Sequence, residues 1–158
     1  MSLSAKEGYL DLVKFFISKG AYDWIDAMSN AAKGGNRDLV DFFITQGAEQ
    51  WDTAMYYSAS GGHRNLVDFF ISKGADNWNL GMLGAAQKGD LDLVEFFIAQ
   101  GANDWNTGMS GAAEGHRHLV EFFISKGAFQ WQWGLESATQ AGHEALIAFF
   151  RRKLNKPA

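Results

Sequence analysis

A string of the form LVxFFIxxGA, recurring along the chain, constrains the fold more than any other feature. It begins at Leu12, Leu39, Leu66, Leu93 and Leu119, with a decayed copy at Leu146, at spacings of 27, 27, 27, 26 and 27 residues. Tryptophan keeps the same beat at Trp24, Trp51, Trp78, Trp105 and Trp131. Twelve of the thirteen phenylalanines lie in the FF pairs, and all eighteen glycines fall in a few columns, so nothing is left over for a linker or second domain. Self-similarity at a short fixed period means an array whose units touch only their neighbours.

Each unit reads as two helices. In the copy from Arg37, residues Leu39, Val40, Phe42, Phe43 and Ile44 cover roughly 200° of a helix at 100° per residue. A helix that apolar must be covered from several sides. Asp41 and Thr45 mark its solvent face, and Gly47 stands where a left-handed cap would end it. The helix before it, from Trp24, puts Ala27, Met28, Ala31 and Ala32 on one arc, small enough for close helix approach. A unit of this size cannot bury both faces alone, so neighbours must stack. The expected fold is all-α, an α-solenoid of helix-turn-helix units forming one array over 1–158. Its divisions are an N-terminal half unit at 4–21, full units at 24–48, 51–75, 78–102 and 105–128, and a C-terminal cap at 131–154. The fourth full unit is one residue shorter between its helices, which is expected to tighten the turn without disturbing the stack.

The stretch AAQKGDLDLVEFFIAQGAND, Ala85 to Asp104, resembles the ankyrin-repeat pattern, in which an alanine pair and a Gly-His turn precede an apolar helix closed by Gly-Ala. The resemblance runs along nearly the whole chain from Ala5. Ankyrin repeats have about 33 residues and a Thr-Pro-Leu-His helix start, whereas these units have 27, with Met28 in the place of that leucine and Trp24 in that of the preceding glycine. The shortening falls between Gly-Ala and Trp, where the family projects its β-hairpin finger, so the resemblance implies a variant without hairpins. Short Trp-bearing arrays of this kind occur in large DNA viruses. The family likeness implies a protein-binding scaffold and, with it, no catalytic or cofactor site.

Composition narrows the partners. Fourteen Lys and Arg against eighteen Asp and Glu give a net charge of -4, the wrong sign for neutralising nucleic-acid phosphates. The longest apolar run, Ala145 to Phe150, is six residues, too short for a membrane span or a signal peptide. With no cysteine, disulfides and thiolate metal sites are out, which suits a reducing compartment and an expected cytoplasmic location. At the C-terminus Arg151, Arg152 and Lys153 replace the Ile-Ser-Lys of earlier copies, which puts charge where apolar surface stood, as a capping unit requires. At the N-terminus the array opens halfway through a unit, leaving Leu12, Val13, Phe15 and Phe16 short of cover and suggesting self-association there.

Histidine is the residue type that would carry acid-base or metal chemistry. His63, His116 and His143 share one column after the inter-helix glycine, about one helix diameter apart in a stack, too far to share a metal at around 2 Å. A role in helix-turn hydrogen bonding is expected. The acidic column Asp41, Asp68, Glu95 and Glu121 reads as a solvated face. The tryptophans read as a ladder plugging the gap left by the finger, with indole N–H groups bonded to neighbouring carbonyls.

The informative positions vary between copies while the frame stays fixed. Counting from each Trp, offsets two, five, six and nine form a stripe opposite the alanine and methionine face. Its centre is apolar and aromatic, with Tyr56, Tyr57, Leu80 and Leu83 on adjacent units and Trp133 further along. Lys33, Glu114 and Glu136 lie around it. An aromatic centre in a polar surround is the anatomy of a protein-binding hot spot. Inter-unit packing would give the same pattern. Gly84 and Gly111 are expected to leave room for a partner beside the patch. Three functions follow: a scaffold binding a protein on its first helices, an assembly module joining copies through the N-terminal edge, or a histidine-dependent metal protein or enzyme, for which no motif supplies convergent groups.

Overall fold

The structure, a computed structural model, describes residues 1–20 and 23–155. The end of the half unit at Ala21 and residues 156–158 lie outside the described residues. Helix makes up 75% of the described residues and no strand occurs among them, so the finger is indeed missing there. The first helix of each pair is α1 (Ser2–Lys6), α3 (Trp24–Lys33), α5 (Trp51–Gly61), α7 (Trp78–Lys88), α9 (Trp105–Ala112) and α11 (Trp131–Ala141). The second is α2 (Leu10–Ser18), α4 (Arg37–Thr45), α6 (Arg64–Ser72), α8 (Leu91–Gln100), α10 (Arg117–Lys126) and α12 (Glu144–Leu154).

Small side chains decide how the units stack. Backbones of consecutive first helices come together, α1 on α3 and onward to α9 on α11, making these the inner helices. The alanine pairs Ala31-Ala32 and Ala85-Ala86, with Met28, Met55, Met82 and Met109, are fully buried in that seam. Within the seam Gly84 has no room for a side chain, since a Cβ there would overlap the Tyr56 carbonyl of α5. In the outer helices the second phenylalanine of each full pair, Phe43, Phe70, Phe97, Phe123 and Phe150, has no exposed surface. Its ring lies over the residue three after Trp on its own inner helix. Where that residue is Gly81, Gly108 or Gly134, a Cβ would overlap the ring. Where it is Ala27 or Ala54, the ring instead packs with tryptophan, at 6.4 Å between Trp24 and Phe43 and 6.3 Å between Trp51 and Phe70.

Outer helices end at a glycine with positive φ, such as Gly47 at 96° and Gly74 at 105°. The buried alanine after it bonds back to the second phenylalanine, as Ala75 N–H does to the Phe70 carbonyl at 3.0 Å, a glycine cap that satisfies the last carbonyls. Only two residues then separate this alanine from the next Trp, and their N–H groups are met from the preceding unit. Asp52 Oδ1 accepts from Asp76 and Asn77, each at 2.9 Å. Asn79 Oδ1 accepts from Asn103 and Asp104 at 2.8 and 2.9 Å. Asn106 Oδ1 accepts from Phe129 and Gln130 at 2.8 and 3.0 Å. One side chain directly after each of these tryptophans thus brackets the next loop.

Outer helices are linked differently. Arg37 lies flat on Phe69 of the following unit, 3.6 Å from the ring centroid, while its Nε bonds Asp41 at 2.9 Å. Arg64 repeats this on Phe96 at 3.7 Å with Asp68. A guanidinium suits the position because it stacks and forks at once. The acidic column therefore serves the stack: Asp41, Asp68 and Glu121 hold arginines, and Glu95 is exposed. The short unit keeps its register. α9 gives up its last turn, its cap falling at Ala113, yet Phe122 and Phe123 remain 5.4 Å apart as in other pairs and Phe123 stays buried.

The two kinds of tight glycine should respond differently to a methyl group. Alanine gains about 1 kcal/mol over glycine in a helix, but at Gly84 it meets backbone, which cannot step aside. Gly84→Ala should destabilise by about 1–3 kcal/mol net of that gain. Gly81→Ala should cost distinctly less, since Phe70 over Ala54 shows where the ring can go. Urea unfolding of the two variants checks the order.

Candidate functional site

The stripe on the inner helices divides once packing is in place. Ser29, Gly84 and Gly111 are buried against the neighbouring helix. Gly111 carries Leu83 directly against it, and Gly84 carries the α5 backbone. The room expected beside the patch is thus filled, because a glycine in a helix seam draws its neighbour in. Tyr56, Tyr57, Leu80 and Leu83 are half-buried at the surface of this seam, and Tyr57 packs on the core. Trp133 on α11 is the most open of the set at 46% exposure.

Polar side chains tie these residues across units. The Tyr56 hydroxyl donates to Gln87 Oε1 at 2.6 Å, and Gln87 Nε2 donates to Glu114 Oε1 at 2.7 Å, so one chain of bonds spans α5, α7 and the turn after α9. A separate bond between the Ser110 and Ser137 hydroxyls, at 2.8 Å, joins α9 to α11. The rings of Tyr56 and Tyr57 meet edge-on at 4.9 Å, and the Lys33 ammonium lies 6.0 Å from the Tyr57 centroid. Glu136 accepts from Gln132 at 3.0 Å. The structure brings Tyr56, Tyr57, Lys33 and Glu114 into one connected surface over α3 to α9, with Leu80 and Leu83 on α7. Trp133 and Glu136 stand apart on α11. Gln87 is the member that sequence reasoning passed over. Its position on the stripe was the signal, and its role as relay depends on two partners 31 and 27 residues away.

The histidines act as inter-unit ties. His63 Nε2–H donates to the Lys33 carbonyl at 3.1 Å and His116 Nε2–H to the Gln87 carbonyl at 2.9 Å. Asn36 does the same for Ala5 at 3.0 Å and Lys6 at 2.6 Å. These bonds satisfy carbonyls at the end of the previous inner helix. Asp90, a carboxylate, cannot donate to such a carbonyl and instead caps its own helix at Leu93 N, 3.0 Å away. Among the described residues no three of His, Asp and Glu converge to hold a metal ion. The indole expectation needs correction. Among the described residues no indole N–H bonds a carbonyl, and the tryptophans are partly buried against the core with part of their surface open to solvent.

Residues 1–80 match the family model for ankyrin repeats, in three copies. No curated protein matches the chain. Among the described residues no helix is long and apolar enough to cross a membrane.

Burial pushes the Tyr56 phenol above its ordinary value of 10.0, an effect offset only in part by the bond to Gln87 and reinforced by the charges of Tyr57 and Glu114. The folded chain therefore holds this proton after the unfolded chain has lost it. Its stabilising contribution is full below the unfolded pKa and lost as pH rises through the folded one. Ultraviolet titration of tyrosinate should show a phenol ionising last that Tyr56→Phe removes. The same variant should flatten the fall of stability above pH 10.

Proposed function

The chain belongs to the ankyrin-repeat family, whose repeats are in general protein–protein interaction modules and typically non-enzymatic, and from that premise we propose a non-catalytic scaffold that binds a partner protein on its inner helices. One observation carries the reading. Along five units the frame residues Trp, Met or Leu, the alanine pair and FF hardly change, while the inner-helix stripe changes at every copy. Variation over a fixed frame is what a recognition surface needs, since fold alone assigns no partner. Tyr56, Tyr57, Leu80 and Leu83 supply the aromatic and aliphatic centre, and Lys33 and Glu114 the rim. Trp133 and Glu136 extend the surface toward the last unit. Tyrosine and tryptophan give large contact area at small entropic cost. A cytoplasmic location belongs to the same reading and rests on sequence.

A second reading has its own observation. Leu12 is 42% and Phe15 52% exposed on α2, where Leu39 and Leu66 are buried. Leu3 and Tyr9 extend this apolar edge at 72% and 59% exposure. Such a patch marks an interface in soluble proteins, here one joining copies of the chain. Sedimentation at rising concentration separates an assembling chain from a monomeric adaptor.

The scaffold reading is tested with a partner captured from the source cell by the unaltered chain. Trp133→Ala and Tyr57→Ala should each cost about 1–3 kcal/mol of its binding. The Trp133 change should leave the urea midpoint in place, because the side chain is half open to solvent. Phe97→Ala should do the reverse and cost roughly 3–5 kcal/mol of stability. Binding unchanged in both surface variants would place the interface elsewhere.

A further inference from the structure

The junction between the last two outer helices departs from the two earlier ones that carry an arginine in the same column. Arg37 and Arg64 each lie flat on the first phenylalanine of the next unit, at 3.6 and 3.7 Å. Arg117, in the same column and with the same acidic partner, stands 5.0 Å from Phe149. Below it a cleft of about 270 Å³ opens, lined by Arg117, Phe149, Arg152 and Lys153. The cause lies three residues after Phe149. Thr45, Ser72, Ala99 and Ser125 occupy that column in the earlier units, and Arg152 occupies it here. Arg152 lines the same cleft as Arg117 and Phe149, and a second guanidinium there repels the first. Lys153 closes the other side, its ammonium 5.5 Å from the Phe149 centroid and 5.3 Å from that of Trp131.

A capping role does not account for this arrangement. A cap needs polar groups on the open end of the array, and Arg152 and Lys153 turn back toward α10 in the preceding unit. Among the described residues, Arg117 is ion-paired to Glu121, and neither Arg152 nor Lys153 has a carboxylate within bridging distance. Three cations around one aromatic floor in a chain of net charge -4 form a local field that an anion would relieve.

We propose that this cleft is a second docking site, one that takes an acidic peptide segment of a partner protein. Carboxylates of the segment bridge Arg152 and Lys153, for which a guanidinium fork is suited. A neighbouring apolar side chain of the segment lies on Phe149. A bare oxyanion would leave that ring uncovered, and the longer run of charge on a nucleic acid would extend past these three cations over a chain of net charge -4. The site lies on the outer helices, so it stands or falls independently of the inner-helix surface.

The test uses the full chain and a short fluorescein-labelled peptide alternating Glu with Phe and Leu, beside a counterpart with every Glu replaced by Gln. Fluorescence polarisation should show the acidic peptide binding about tenfold or more tighter than the neutral one, with an advantage that shrinks as salt rises. Arg152→Gln, alone and with Lys153→Gln, should abolish that advantage with an unchanged helical circular dichroism spectrum, while Tyr57→Ala should leave it intact. The proposal is overturned if the acidic peptide does not bind, or if the two peptides bind alike. Equal binding by the Arg152 and Lys153 variants would also overturn it. Inorganic phosphate displacing the peptide at matching concentration would reassign the cleft to small oxyanions, and tighter, Arg152-dependent binding of a labelled single-stranded DNA would reassign it to nucleic acid; either result ends the peptide assignment.

Discussion

A carboxylate or amide reaching forward from one unit to the loop of the next is the interaction on which the short repeat depends. Removing the finger leaves two loop residues between the buried alanine and tryptophan, and their N–H groups have no strand partner. Asp52, Asn79 and Asn106 supply it from one turn into the inner helix before. Such a hydrogen bond contributes about 0.5–1.5 kcal/mol net, and more where the acceptor is charged, as at Asp52, and the contribution recurs at Asn79 and Asn106. Bracketing the loop also fixes how far one unit sits from the next, which lets the inner helices close on Gly84 and Gly111. At the first full junction the column holds Ile25, an exposed side chain with no acceptor.

The stack is held by separate devices at separate depths. Alanine, glycine and methionine close the inner seam, the second phenylalanine fills each unit, and arginine on phenylalanine joins the outer row. Histidine or asparagine ties the turns between. Each device crosses one boundary only, so energies should add from neighbour to neighbour as in other solenoids. Gly84 and Gly111 lie on the stripe and belong to this frame, while the half-buried and exposed stripe positions around them change from copy to copy. The same reasoning sets the last outer junction apart, since Arg152 breaks a device that works elsewhere.

Much of this was legible in the sequence because repetition averages out local ambiguity. One FF pair could lie in a strand or a helix; six at a fixed period, five of them followed by Gly-Ala, could not. The missing finger was legible from the length between Gly-Ala and Trp. Polar partners were harder to read. Asp52, Asn79 and Asn106 look like ordinary first-turn residues, and their bonds span 23 to 25 positions, a relation no local pattern encodes. The tryptophans were credited with indole N–H bonds to neighbouring carbonyls, and none makes one among the described residues. Gly84 and Gly111 were read as open space, since an absent side chain looks the same in sequence whether a partner or a helix fills the gap. Tyr56 and Leu83 were found by their variation, yet their share in inter-unit contact is visible only in three dimensions.

Amide hydrogen exchange, read residue by residue, tests the bracketing of the loops most directly. The account predicts that the amides of Asp76, Asn77, Asn103, Asp104, Phe129 and Gln130 exchange slowly, whereas Glu49 and Gln50, which face Ile25, exchange fast. Asp52→Ala should release Asp76 and Asn77 alone, and Ile25→Asn should slow Glu49 and Gln50. Equal exchange at Glu49, Gln50, Asp76 and Asn77 in the unaltered chain, or no change at Asp76 and Asn77 on removing the Asp52 carboxylate, would contradict it.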